Sequence, residues 1–139
     1  MPIQVDWSQT HDDTLTITFE GDWTWQDFYG MGERTRDLIV TRTAPVHVLY
    51  DLRPSTARVK SPVMHLRHFA AHLPENARMG LHVYVGATTF WKACITAFCR
   101  VYPTLAPDIV YVSDEADAFV AIVRKQEQLA LLLDDSVEV

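Results

Sequence analysis

Polar and apolar residues alternate strictly along Thr14-Leu15-Thr16-Ile17-Thr18-Phe19-Glu20, which predicts a strand with one buried and one solvated face. Ile3 to Trp7 reads as its partner, and the turn-rich Ser8-Gln9-Thr10-His11-Asp12-Asp13 between them predicts an antiparallel hairpin. A different pattern marks Val46-His47-Val48-Leu49-Tyr50-Asp51-Leu52, where the apolar run is nearly continuous. A strand covered on both faces has that pattern, so this segment is expected at the centre of the sheet. Residues 80–86 and 108–112 supply two further strands.

Helical periodicity fills the intervals. Trp25, Phe28, Gly32, Thr35 and Leu38/Ile39 fall near one face of a helix over residues 25–41, with Asp27, Glu33, Arg34 and Asp37 elsewhere. Thr24 and Asp27 resemble an N-cap with an acidic partner, and Thr43-Ala44-Pro45 ends the helix. Ser61-Pro62 opens a second helix, with a hydroxyl at the cap and proline at the first helical position; Val63, Leu66, Phe69, Ala70 and Leu73 form its stripe and Pro74 stops it. A third begins at Thr88 or Thr89, carries Trp91, Ile95, Phe98 and Tyr102, and ends at Pro103. Ser113 or Asp114 caps a closing helix with Ala118, Phe119, Ile122 and Val123 that extends to about 133, before an acidic tail, 134–139, expected to fray. Its leucine-rich end, 129–133, either packs on the domain or meets a partner, and it offers one route to a homodimer. The order β-β-α-β-α-β-α-β-α predicts one α/β domain over 1–139: a mixed sheet opened by an antiparallel hairpin and continued by β-α units with right-handed crossovers.

Composition narrows the partners. At 139 residues, 48% hydrophobic and 22% charged, the chain has material for one core. Its 12 basic residues against 18 acidic ones, a net charge of −6, argue against a dedicated nucleic-acid or anionic-membrane surface. Arg53, Arg58, Lys60 and Arg67 nevertheless gather around the loop after the central strand. The first residues carry neither a basic segment nor a long apolar one, and no run approaches the ~18 apolar residues of a spanning helix. A soluble, cytoplasmic protein without membrane insertion is expected. Cys94 and Cys99 lie about 140° apart around their helix, so they are read as buried free thiols.

The element order, with the acidic closing segment Ser113-Asp114-Glu115-Ala116-Asp117-Ala118-Phe119 after a short strand, resembles the STAS domain of anti-sigma-factor antagonists. The nearest likeness is to small bacterial STAS-like proteins of unassigned function, sometimes grouped with lipid-binding Sec14-type domains. The resemblance spans almost the whole chain. It implies a regulatory, protein-binding module without catalysis, switched in signalling members by phosphorylation of an Asp-Ser/Thr-Ser-Gly motif at a helix start. Counted from Asp51, that region falls on Lys60-Ser61-Pro62-Val63, making Ser61 the matching hydroxyl. Three departures separate it from the motif: the Asp is absent, Lys60 stands in place of a hydroxyl residue, and Pro62 replaces the small residue beyond. A phosphate on Ser61 would sit at a helix N-terminus near Arg58 and Lys60; the other reading is a plain helix cap.

Other constellations suggest different chemistry. His65, His68 and His72 fall within roughly 60° on one helical face, a spacing that offers imidazoles to zinc, nickel or copper. No Cys, Asp or Glu between Pro62 and Leu73 completes the set, so a pH-sensitive or solvated face is the competing reading. His47 and His82, on strands, either approach across the sheet or are core histidines with satisfied nitrogens. Trp23 and Trp25 flank a turn and could line a pocket for a small apolar or lipid-like ligand; Trp25 is expected in the core, and for Trp23, the better candidate, the other reading is a packed turn. Gly86-Ala87-Thr88-Thr89 joins strand to helix but lacks the glycines and lysine of a phosphate loop. Asp51, at the end of the central strand, is the one acid placed where α/β folds use one, and it could equally pair with Arg53. No cofactor is implied. The leading expectation is contact with a protein partner through Asp51, Arg53, Arg58, Lys60 and Ser61.

Overall fold

The computed structural model describes the backbone of residues 2–137 and the side chains of residues 2–132. Five strands, β1 (Ile3–Trp7), β2 (Thr14–Phe19), β3 (His47–Asp51), β4 (Leu81–Val85) and β5 (Asp108–Val112), form one sheet in that same spatial order. β1 and β2 pair antiparallel; β2 to β5 run parallel. The helices are α1 (Trp25–Ile39), α2 (Pro62–Ala71), α3 (Glu75–Arg78), α4 (Thr89–Val101) and α5 (Glu115–Val137). The boundary expected near 133 falls inside α5, and residues 138 and 139 of the expected tail lie outside the described residues. Among the described residues no helix is long and apolar enough to cross a membrane.

Right-handed crossovers between strands laid down in consecutive order place every connecting helix on the same side of the sheet. Accordingly α1, α2 and α4 share one face, where the main core runs from Ile3, Leu15 and Ile17 to Trp23, Phe28 and Trp91. Among the described residues α5 alone covers the other, through Ala118 and Ile122 against Leu49, Leu81, Val83 and Val85. Helices on both faces explain the unbroken apolar run of β3, which is the middle strand: Val48 and Tyr50 enter the first core and Leu49 the second. On α5, Leu131 and Leu132 remain exposed.

Local chemistry sets the ends of the helices. Thr24 and Asp27 form a reciprocal capping box on α1, the Thr88 hydroxyl accepts the N–H of Trp91 on α4, and Asp114 accepts that of Asp117 on α5. The short α3 is an element that periodicity does not signal. Its Asn76 side chain donates to the carbonyls of Ile39, Arg42 and Ala44, closing the end of α1, while its own carbonyl accepts the N–H of Val46 at the entrance to β3. Gly80 is required here, because a Cβ would lie 1.9 Å from the Val46 carbonyl oxygen.

The two strand histidines lie on opposite faces of the sheet. Register pairs Val48 with His82, so His82 points with Tyr50 and Tyr84 toward the face of α1, α2 and α4, and His47 points to the side of α5. Both are satisfied core residues. His82 Nε2 donates to the Ala77 carbonyl at 2.8 Å, which leaves Nδ1 to accept from the Tyr50 hydroxyl at 2.8 Å. His47 Nδ1 accepts the Leu81 N–H at 3.0 Å. Burial lowers both imidazoles to a pKa of about 4, from the ordinary 6.5.

Below pH 6.5 the unfolded chain therefore takes up protons that the fold refuses. Stability is full above that pH and is lost as the pH falls toward 4, by up to about 1.4 kcal/mol per pH unit for each histidine. Urea denaturation across this range checks the slope, which His82→Gln is expected to reduce by about half.

Candidate functional site

The polypeptide leaving β3 is fixed at both ends. Asp51 accepts the N–H of Arg53 at 3.1 Å and a two-pronged guanidinium contact at 2.9 and 3.0 Å. Burial alone would raise the Asp51 carboxyl, but these hydrogen bonds and the Arg53 charge outweigh it and hold the group below its usual pKa. Arg53 lies against Gly86, where a Cβ would meet its Cγ at 2.5 Å; Gly86 also has a φ of +71°. Further along, Gly21 N–H donates to Pro54 O, Thr56 N–H to Gly21 O, and Trp25 Nε1–H to Lys60 O at 2.8 Å. Ala57 and Val59 face the core.

Trp23 organises this anchoring. It is 2% exposed, with its ring packed on Phe19, Trp25, Phe28 and Trp91. A buried indole needs an acceptor for its N–H, and Ser55 Oγ provides one at 2.8 Å. Of the two readings of Trp23, the packed turn is the one formed, while Trp25, expected in the core, is only partly buried against it. The space beside Trp23, bounded also by Tyr50 and Tyr84, is about 30 Å³, which is too small for the ligand expected there. Ser55 and Gly86 carry no motif, and only the unmet N–H of Trp23 hints at the former.

The basic cluster divides. Arg53 is committed to Asp51, and the Arg67 guanidinium lies over the Tyr102 ring. Arg58 and Lys60 are exposed on the loop, followed by exposed Ser61. Ser61 does not cap α2 through its hydroxyl. Its backbone is left-handed, φ +56° and ψ +47°, and no side-chain cap bond forms. A side-chain cap requires extended backbone at that position, so the plain-cap expectation fails on geometry.

The histidine face of α2 meets α1. His65 stacks on Trp25 with ring centroids 4.0 Å apart, and its Nδ1 hydrogen-bonds the Tyr29 hydroxyl. Tyr29 also packs edge-on to His68, and His72 Nδ1 donates to the His68 carbonyl at 2.8 Å. Burial is the larger cause, and His68 the smaller, of a lowered His65 pKa. Among the described residues no three His, Cys, Asp or Glu side chains converge as a metal centre requires. Cys94 and Cys99 are free and half-buried, and burial pushes both thiols up.

No family model and no curated protein matches this sequence. Solved structures share its fold. An uncharacterized DUF3478-family protein with a SpoIIAA-like fold, from Shewanella loihica PV-4, is 14% identical, with a TM-score of 0.60 over 86% of this chain and 91% of its own. The anti-sigma factor antagonist SpoIIAA, in its unphosphorylated form, is 11% identical, with a TM-score of 0.56 over 88% of this chain and 97% of its own. The chain has a STAS-like, SpoIIAA-like α/β fold.

Two serines in one loop should respond differently. Ser55→Ala leaves the buried Trp23 N–H unpaired and is expected to cost about 1–3 kcal/mol in chemical denaturation. Ser61→Ala, which removes no cap bond, is expected to change stability by less than about 0.5 kcal/mol.

Proposed function

We propose that this chain is a cytoplasmic, non-catalytic regulatory module that contacts a protein partner through residues 53–61 and the start of α2. The supporting observation is the contrast within that loop. Its backbone is tied to the Gly21–Trp25 corner, yet Arg58, Lys60 and Ser61 are left exposed. A surface held in one conformation loses little entropy when a partner docks. Two further features favour contact over chemistry. The Asp51 carboxylate is engaged by Arg53 and held ionised, which suits a structural acid better than a general base working near neutral pH. The spaces enclosed beneath the helices, about 30 and 20 Å³, are too small for a substrate, so among the described residues no buried reaction site is formed around Asp51 or the sheet.

Ser61 is the position at which phosphorylation would change the contact. Its hydroxyl is exposed, has no cap bond to lose, and stands at the N-terminus of a ten-residue helix beside two basic residues. A phosphate there adds negative charge where the helix dipole and neighbouring cations favour it, and it offsets the basic loop seen by a partner.

Capture from native extract tests this reading. Ser61→Glu and Arg58→Glu are each expected to remove the same protein from the set retained by the unmodified chain, while the thermal midpoint stays unchanged. Identical sets from all three baits would contradict the proposal.

A further inference from the structure

We propose that the cleft between α1 and α2 is a binding site for a small organic cation with an aromatic or apolar body. The cleft has a volume of about 420 Å³, within the roughly 300–1,000 Å³ typical of small-molecule sites. Phe28, Phe69 and Leu73 form its apolar back, and Gly32 leaves room by lacking a side chain. The rings of Tyr29 and His68 stand at its edge.

Charge selects the ligand. Glu33 and Asp37 both line the cleft from α1, one helical turn apart, and neither forms an ion pair among the described residues. Like charges at that spacing repel, and a cation between them relieves the repulsion. Among the described residues the lining holds one guanidinium, Arg36, and the histidines His68 and His72, so the carboxylates exceed the guanidinium by one. Aromatic faces beside carboxylates are the surroundings an ammonium group prefers, since ring quadrupole and anion act in the same direction.

Phe69 sets the length of the ligand. Its ring borders the cleft and also the two small voids under α2, separating them. Phe28 packs against it at 5.5 Å and Tyr50 at 6.3 Å. With the ring in place the cleft ends there, so a compact cation fits and a long acyl chain does not.

The test uses three probes of similar body and different charge: benzyltrimethylammonium, benzyl alcohol and phenylacetate. Added to isotope-labelled protein, the ammonium is expected to give saturable amide shifts centred on Gly32, Phe69 and Leu73. Binding should be at least about tenfold weaker for phenylacetate, and about tenfold weaker after Glu33→Gln with Asp37→Asn. Both substitutions are on the surface, so an unchanged thermal midpoint verifies the fold. Absence of saturable shifts, shifts centred elsewhere, equal binding of cation and anion, or indifference to the double substitution would each overturn the proposal.

Discussion

The hydrogen bond from the buried Trp23 indole to Ser55 is the interaction on which the arrangement depends. Trp23 sits at the corner between β2 and α1, stacks toward α4 through Trp91, and reaches the outlet of β3 through its N–H. A large apolar ring can be enclosed at that junction only if its one polar group finds a partner. Meeting that need draws the loop after β3 onto the aromatic core. The remaining ties, from Gly21 to Pro54 and Thr56 and from Trp25 to Lys60, continue the same seam. Local hairpin, central strand and the loop after β3 therefore form one mechanical unit.

Features set by neighbours in sequence were legible. Alternation in β2, the continuous run of β3 and the capping pairs of α1, α4 and α5 each express a rule acting over a few residues, and each element lies where expected. Features set by tertiary contact were not. Trp23 and Trp25 lie two residues apart at the one corner between β2 and α1, and only the docking of the β3 outlet decides which ring is covered. Ser61-Pro62 has the composition of a capped helix start, but its backbone enters from the left-handed region after Lys60 has been tied to Trp25. Helical spacing brings His65 and His68 to Tyr29 together, while His72 falls at the non-helical C-cap of α2, and the meeting with the Trp25 and Tyr29 rings of α1 depends on how two helices pack. The four residues of α3 are too few to show a period, and the role of Asn76 lies in contacts more than thirty residues away.

The same architecture distributes tasks along α2. Its first residues follow the fixed basic loop and face outward, and its flank packs with α1 around the aromatic-lined cleft. Beneath it the sheet is closed by Tyr50, Tyr84 and His82, whose hydrogen bonds end on Ala77 of α3. Burial raises both phenols, so they remain protonated in the core. The interior beneath α2 is thus closed, and the loop outside it is anchored by its backbone.

The β3 outlet is held as a fixed platform. Hydrogen exchange followed by NMR at the Trp23 and Trp25 indole N–H groups and the Thr56 amide tests it most directly. The account predicts slow exchange at Trp23 and Thr56, grouped with the amides of β2 and β3, and measurable protection at the Trp25 indole. Exchange at all three sites as fast as in an open loop, with β2 and β3 still protected, would contradict it.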